Sequence, residues 1–146
     1  RGGQACLPQL VQAPNPHILT RAPPPSLDPK WWAPHTGYTL AKMGMSFVTL
    51  GLAAEFGPQG VAVNALWPRT LIATEALNMI PGVEAANGRR PEIMADAAHA
   101  VLVQPAAGFS GRFLIDDEVL AQAGVTDLSG YAVDPSQPLL PDLFLD

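Results

Sequence analysis

The longest apolar segment of the chain runs from Tyr38 to Phe56 and contains only two charged residues, Lys42 and Glu55. Its length and spacing predict a helix that has Thr36 as its cap and ends at Gly57. Because apolar side chains surround nearly the whole helix, more than one side of it must be covered. We expect one face to pack on a sheet and another on a second helix or a second subunit.

Short apolar runs bounded by helix-breaking residues predict three strands. His17–Thr20 is a short run between breakers, Val61–Trp67 is mostly apolar and ends at Pro68, and Gly108–Asp116 is typical of a turn followed by a strand. A long helix followed by a buried strand is half of a βαβ crossover, the unit from which parallel sheets are built. The pattern therefore predicts the α/β fold class.

Three further segments have helical patterns. Gln4–Val11 is typical of the last turns of a helix, with a kink at Pro8. Thr74–Met79 predicts a short helical stretch within a loop, and Glu92–Val103 predicts a helix with Pro91 at its first position, where a missing N–H costs nothing. The acidic, Pro-broken end of the chain is expected to pack as a tail.

Proline is concentrated early, since 8 of the 16 prolines lie at or before Pro34. Between Pro23 and Pro34 they predict an irregular, extended loop that contains Trp31 and Trp32. Two adjacent indoles in a loop usually cover apolar atoms. They form either a lid on the core or a wall of a substrate pocket, and the sequence supports both interpretations equally.

Charge and residue counts exclude several classes of protein. All 8 basic groups lie within residues 1–112, so the later residues are purely acidic and the formal net charge is −5. Only Arg89 and Arg90 adjoin, which leaves no basic stripe for a nucleic acid. No apolar run approaches the ~18–20 residues that span a bilayer, and the histidines are too far apart for a metal site. Because the lone Cys6 forms no internal disulfide, we expect a cytoplasmic protein.

Tyr38 and Lys42 are four residues apart on the long predicted helix, so their side chains share a face. A free phenol has a pKa near 10, and a neighbouring cation lowers that pKa and makes the hydroxyl a usable acid at a carbonyl oxygen. The same spacing also arises by chance, with a buried Tyr and a Lys that extends to water. The position of the pair between two strands of a parallel sheet favours the functional interpretation, since ligands bind at the carboxyl ends of such strands.

Seven segments, spread over nearly the whole chain, carry motifs far more specific than this pair. They are Gln4–Pro8, Pro16–Leu19, Tyr38–Ser46, Ala62–Thr70, Arg89–Ala98, Gly111–Asp116 and Leu139–Asp146. In these motifs the chain resembles the short-chain dehydrogenase/reductase family. The resemblance implies an α/β fold and, more narrowly, the C-terminal half of a Rossmann-type doubly wound parallel sheet.

The resemblance also implies hydride exchange between a nicotinamide cofactor, NADP or NAD, and a small-molecule carbonyl or alcohol substrate. Tyr38 would be the general acid or base. Lys42 would bind the nicotinamide ribose hydroxyls and lower the pKa of the phenol. Trp31, Trp32 and the loop beyond Pro68 would line the pocket, so we expect a moderately apolar substrate.

The segment after Pro68 resembles the family's loop over the nicotinamide, where the backbone and a threonine contact the carboxamide. Ile72 and Thr74 are the matching residues here, with Thr70 as a further candidate. A plain loop-capping role for either threonine is a comparable interpretation, because threonine hydroxyls bind nearby backbone groups in many loops.

The chain departs from the family pattern at the expected catalytic hydroxyl. Ala22 stands at the position of the family's active-site Ser, and loss of one such donor costs roughly 2.7–4 kcal/mol, or 10²- to 10³-fold in rate. Ser26, twelve residues before Tyr38, is an alternative catalytic hydroxyl, and Thr20 lies earlier on the predicted strand. The departure also supports a rival hypothesis, a non-catalytic relative that keeps the scaffold for binding or assembly.

The family's Gly-rich phosphate turn, and the acidic residue that follows it, are absent from the sequence. Because the sequence also begins at Arg1 rather than Met, we expect a fragment with an unpaired sheet edge. Residues 1–130 are predicted to form the partial Rossmann-type domain, and residues 131–146 an acidic, Pro-rich tail.

The long helix also predicts how the protein assembles. Gly44 and Gly51 lie seven residues apart, share a face and would allow another backbone to approach closely. The family often assembles through this helix. We therefore expect a homodimer or homotetramer through Tyr38–Phe56, and neither nucleic acid nor membrane as a partner.

Overall fold

The computed structural model describes residues 2–79 and 82–145 as strands, helices and connecting loops. Arg1, Ile80, Pro81 and Asp146 lie outside the described residues, so the expectations that involve them are not addressed. The strands are β1 His17–Thr20, β2 Ala62–Trp67 and β3 Phe113–Ile115. The α-helices are α1 Gly2–Leu10, α2 Pro29–Trp32, α3 Thr36–Phe56, α4 Glu92–Leu102 and α5 Asp116–Gln122.

The chain divides into two compact units, and each is described by itself. The first holds the described residues up to Trp67 together with Leu102–Leu114, and the second holds Pro68–Val101 and the described residues from Ile115 onward. The first unit therefore contains β1, β2 and α3. The predicted division at residue 130 stays a prediction.

The three strands lie side by side in chain order, β1-β2-β3. β1 runs parallel to β2, pairs Ile18 with Val63 and lies at one edge of the sheet that the described residues form. All residues of β2 are buried, whereas those of β1 are half-buried. Phe56 at the end of α3 packs with Val61 and the β2 residue Val63 in an apolar core cluster. The predicted strands are confirmed, as is the α/β fold class with a parallel sheet.

The buried face of α3 is rich in hydroxyl groups. Thr39, Ser46 and Thr49 are all 0% exposed on it. The Thr39 and Ser46 hydroxyls donate to the carbonyl oxygens of Trp31 and Pro23, at 2.6 and 2.7 Å, and Thr49 shares a 2.6 Å hydrogen bond with the threonine of β1. Each hydroxyl lost its water on burial, and these bonds replace it.

The opposite face of α3 is apolar and exposed. Leu40, Phe47 and Val48 are 63%, 50% and 57% exposed. Gly44 and Gly51 lie on the same face, and a Cβ added at either glycine would meet no atom of the described chain within 4 Å. Within the described residues, α3 is therefore covered on one side, and the second covered side that the sequence predicts is not supplied by this chain.

The N-terminal end of α3 differs from the prediction, whereas its C-terminal end agrees with it. Thr36 is not the cap, because the helix already includes it and His35 occupies the capping position. The Thr36 hydroxyl instead donates to the carbonyl oxygen of Trp32 at 2.7 Å. At the other end, Gly57 terminates the helix as predicted, and its N–H still bonds to Ala53.

Residues 23–28 are irregular as predicted, but Trp31 and Trp32 lie in a short helix, so the loop prediction is wrong for that part of the segment. The Asp28 side chain accepts the backbone N–H of Lys30 at 3.0 Å and caps α2. Pro29 stands at the first helical position, where it is well tolerated. Local capping thus forms a helix in a segment whose proline content indicates a loop.

The acidic segment after β3 forms α5, a helix that the sequence pattern does not predict. Its first turn is Asp116–Glu118, and acidic side chains are favourable there because of the helix dipole. Further along, the chain pairs with the segment after Pro68: the N–H of Leu71 donates to Leu140, and the N–H of Asp142 donates to Arg69, each at 3.0 Å. Part of the predicted tail is therefore bonded into the second unit.

Candidate active site

Tyr38 and Lys42 stand next to each other in the first turns of α3. Lys42 Nζ lies 5.8 Å from the centroid of the Tyr38 ring and 5.1 Å from that of the Trp67 ring. Tyr38 is 46% exposed, whereas Trp67, the last residue of β2, is 3% exposed. The structure thus brings the two predicted residues together and adds a buried indole that the sequence reasoning did not single out.

The candidate catalytic hydroxyls lie at or after the end of β1. Ala22 is 1% exposed and has no polar side-chain atom. Ser26 is half-buried; its hydroxyl oxygen accepts the N–H of Asp28 at 3.2 Å and still carries a proton that it can donate. The Thr20 hydroxyl is bonded to Thr49 at 2.6 Å within the unit. The Ser26 hydroxyl is therefore more available for a substrate than the Thr20 hydroxyl, which is held in a short hydrogen bond within the fold.

The residues expected to contact a nicotinamide carboxamide lie in the second unit. Pro68 is buried, Ile72 is 4% exposed and Thr74 is exposed. Thr70 is 7% exposed, and within the described chain its hydroxyl has no hydrogen-bond partner. Thr74 is consequently the more accessible threonine.

Asp116, which the sequence places at the end of a predicted strand and in a motif but not among the site residues, fixes the start of that segment. Its Oδ1 accepts the backbone N–H groups of Arg69 and Asp117, both at 2.8 Å. The Arg69 guanidinium in turn pairs with Asp117 at 2.7 Å and with Glu118. Burial raises the pKa of Asp116, although the two N–H groups and the charge of Arg89 act the other way. An acidic run directly after a strand was the signal available in the sequence.

Two negative findings concern only the residues that the structure describes. They contain no group of three His, Cys, Asp or Glu side chains able to hold a metal ion. None of the helices among them combines the length and the apolar character needed to cross a membrane.

Solved structures with a similar fold are described as dehydrogenases, one of them as a short chain dehydrogenase. A structure described as a dehydrogenase from Xanthomonas campestris is 81% identical, with a TM-score of 0.97 over 99% of this chain and 53% of its own. A short chain dehydrogenase from Mycobacterium thermoresistibile is 46% identical, with a TM-score of 0.88 over 99% of this chain and 51% of its own. The predicted resemblance to one half of a short-chain dehydrogenase/reductase is confirmed.

Among curated proteins, the chain matches hydroxysteroid dehydrogenase-like protein 2. The protein from Danio rerio is 51% identical over 142 residues, which is 97% of this chain and 34% of the relative. The chain thus spans about a third of the length of such relatives and about half of the similar solved chains. No protein-family model matches the chain.

The side chains of the first unit fit the nicotinamide ribose end of a cofactor. The Tyr38 hydroxyl belongs to a half-exposed residue, and the adjacent Lys42 ammonium is a group of the kind that would donate to ribose hydroxyls. A 3-oxoacyl-[acyl-carrier protein] reductase from Brucella melitensis, 26% identical with a TM-score of 0.56 over 78% of this chain and 44% of its own, has NAD bound. The family's Gly-rich turn, which holds the pyrophosphate, is not part of this sequence.

The raised pKa of Asp116 predicts how stability changes with pH. The folded state holds the proton more tightly than the unfolded state, so the contribution of Asp116 to stability is fully present below its ordinary pKa of 3.8. This contribution is lost as the pH rises through the raised pKa of the folded state. Urea unfolding of the intact protein and of Asp116→Asn should give a difference in unfolding free energy that declines with rising pH.

Asp127 provides a control of opposite sign. Hydrogen bonds from Ser129 lower the pKa of this exposed carboxyl, so its small contribution is present above pH 3.8 and is lost as the pH falls. Asp127→Asn should therefore change the pH dependence in the other direction. The same pH trend for both variants would contradict the assignment of Asp116.

Proposed function

We propose that the intact protein is an oxidoreductase that transfers a hydride between NADP or NAD and a carbonyl or alcohol substrate. This chain supplies the proton-transfer residues. The observation that carries the proposal is the position of the Lys42 ammonium, 5.8 Å from the ring of the half-exposed Tyr38. The named dehydrogenases with which the chain shares its fold support the same reaction class.

In this proposal, a bound nicotinamide supplies or accepts the hydride. Tyr38 Oη donates a proton to the substrate oxygen during reduction and accepts one during oxidation. The Lys42 ammonium stabilises the phenolate form, which lowers the pKa of the phenol towards neutrality. Its N–H groups also donate to the ribose hydroxyls. Ser26 supplies the second catalytic hydroxyl.

The second unit holds the carboxamide end of the cofactor in this proposal. Pro68 follows β2 and begins the segment, Ile72 is a buried apolar residue within it, and Thr74 is exposed. The backbone around Ile72 is restrained, because the N–H of Ala73 donates to Arg89 at 2.8 Å. A restrained loop loses little entropy when it binds a ligand.

A moderately apolar substrate matches the loop that precedes α3. Trp31 and Trp32 are half-buried, and Leu27, just before α2, is 78% exposed. Large apolar side chains that keep exposed surface in the segment leading into the helix of Tyr38 favour a substrate with an apolar body.

The alternative function is a non-catalytic relative, or an inactive fragment, that serves as a binding or assembly scaffold. Ala22 favours it, because a buried methyl group stands where the family has its Ser and gives no hydrogen bond to a reacting carbonyl. Such a protein would keep the fold and the cofactor-binding residues but would catalyse no reaction.

We also propose that α3 mediates self-association into a dimer or tetramer, with a second copy of the chain as the occupant of its exposed face. Leu40, Phe47 and Gly51 follow one another at helical spacing and form an apolar stripe. The open space above Gly51 lets a second backbone come close. Exposed apolar patches of this kind mark interaction surfaces.

Replacement of Tyr38 by Phe tests the assigned proton transfer. Tyr38→Phe keeps the ring beside Lys42 but removes the proton, so turnover of the intact protein should fall by about 10²- to 10⁴-fold while cofactor binding persists. Absorbance of the reduced nicotinamide with a panel of carbonyl compounds measures the turnover. Tyr131→Phe is the matched control, since it removes the chain's other phenol, which bonds to Asp96. Unchanged activity of Tyr38→Phe would contradict the proposed role of Tyr38.

Restoring the missing hydroxyl separates the enzyme from the scaffold. If the protein is an enzyme slowed by the missing hydroxyl at position 22, Ala22→Ser should raise turnover by up to about 10²- to 10³-fold. Ala65→Ser is the control, because it adds a buried hydroxyl elsewhere in the first unit. Ser26→Ala tests whether the Ser26 hydroxyl already acts as the catalytic hydroxyl. No turnover in either the natural protein or Ala22→Ser, with cofactor binding intact, supports the scaffold.

Placing a charge on the exposed face of α3 tests the assembly. Phe47→Glu should convert the intact protein from a dimer or tetramer to smaller species at micromolar concentration, because the carboxylate would be buried without a partner. Light scattering measures the mass. Val103→Glu, at a residue 59% exposed and outside α3, should leave the assembly intact. A natural protein that is already monomeric contradicts the prediction.

A further inference from the structure

The ammonium of Lys42 lies near two aromatic rings of unequal exposure. Its Nζ is 5.1 Å from the Trp67 centroid and 5.8 Å from the Tyr38 centroid, both within the ~6 Å range of a cation–π contact. Tyr38 is half-exposed at the start of α3, whereas Trp67 is buried at the end of β2. The indole is therefore the fixed side of this arrangement.

The backbone around Trp67 makes the indole a rigid support. All residues of β2 are buried, and the buried Pro68 follows directly. A proline restricts the residue before it to extended backbone, so Trp67 has little freedom to turn away. Lys42 has a flexible four-carbon stem, and its ammonium needs such a support to stay in one place.

An aromatic face suits this purpose better than a hydrogen-bond acceptor does. It attracts the ammonium through the ring quadrupole without accepting a conventional hydrogen bond from it. Trp gives the strongest contact of the aromatic side chains.

We infer that Trp67 is a positioning residue that holds the Lys42 ammonium beside Tyr38. This inference rests on the proposed proton-transfer role of the pair and goes beyond it, because it assigns the support of Lys42 to a residue of β2. Loss of the indole lets the lysine side chain swing away, and the phenol then ionises less readily at neutral pH.

Replacement of Trp67 by Leu in the intact protein tests this inference through the pH profile. In alcohol oxidation, where the Tyr38 phenolate is the base, kcat/KM at pH 7 should fall by about 2- to 30-fold, the range expected for a cation–π contact. The loss should shrink at alkaline pH, where the phenol ionises without help. Trp67→Phe should restore part of the activity, and it also serves if Trp67→Leu fails to fold. A loss that is equal at every pH indicates a merely structural role and overturns the inference.

A second readout does not depend on activity. In the protein labelled with ¹³C-lysine, the ring current of Trp67 should displace the ε-CH₂ resonance of Lys42, which is assigned by its disappearance in Lys42→Met. Trp67→Leu should move this resonance towards the value of a free lysine. Trp31→Leu is the matched control, because it removes the indole that lies 4.8 Å from Lys30, the only other lysine of the chain.

The outcomes separate this inference from the proposed function. An inactive Tyr38→Phe together with an unmoved Lys42 resonance in Trp67→Leu overturns the role of Trp67 and leaves the enzyme proposal standing. A fully active Tyr38→Phe overturns the proton-transfer proposal, and the positioning role with it. A displaced resonance and a pH-dependent loss, rescued in part by Trp67→Phe, support the inference.

Discussion

Three buried hydroxyl groups on α3 hold the first unit in its arrangement, and the candidate site depends on them. Thr39 and Ser46 bind carbonyl groups of the segment between β1 and α3, and Thr49 binds the threonine of β1. An unbonded buried hydroxyl costs about 1–3 kcal/mol, so these bonds strongly favour one placement of the segment. A stretch rich in proline, with little regular structure of its own, is thereby fixed to a helix.

The same bonds decide which way α3 faces. Because the hydroxyl-bearing side of α3 is buried, Tyr38 and Lys42 lie near the end of β2. The large apolar side chains of Leu40 and Phe47 are exposed. One helix thus offers both a reactive pair and an apolar surface. Its buried face combines three hydroxyl-bearing residues with the apolar Met43 and Phe56, whereas large apolar side chains also occupy its exposed face.

Much of the fold and part of the site could be predicted from local pattern. β2 is a run of buried residues ended by proline, and the Tyr38–Lys42 pair follows from helical spacing. The failures at α2 and α5 arise where capping or helix-dipole effects, rather than apolar periodicity, favour a helix. Trp67 and Asp116 were missed for another reason: their partners lie far away in sequence, 47 residues in the case of Arg69 and Asp116.

The sequence by itself determined the fold class, the segments that form strands and the proximity of Tyr38 and Lys42, because these depend on periodicity and on neighbours within a few residues. Only the tertiary structure decided which face of α3 is buried, which indole supports Lys42 and which carboxylate holds the backbone of Arg69. The physical reason is that hydrogen bonds and cation–π contacts are short-ranged in space and leave no periodic signal along the chain when their partners are distant in sequence.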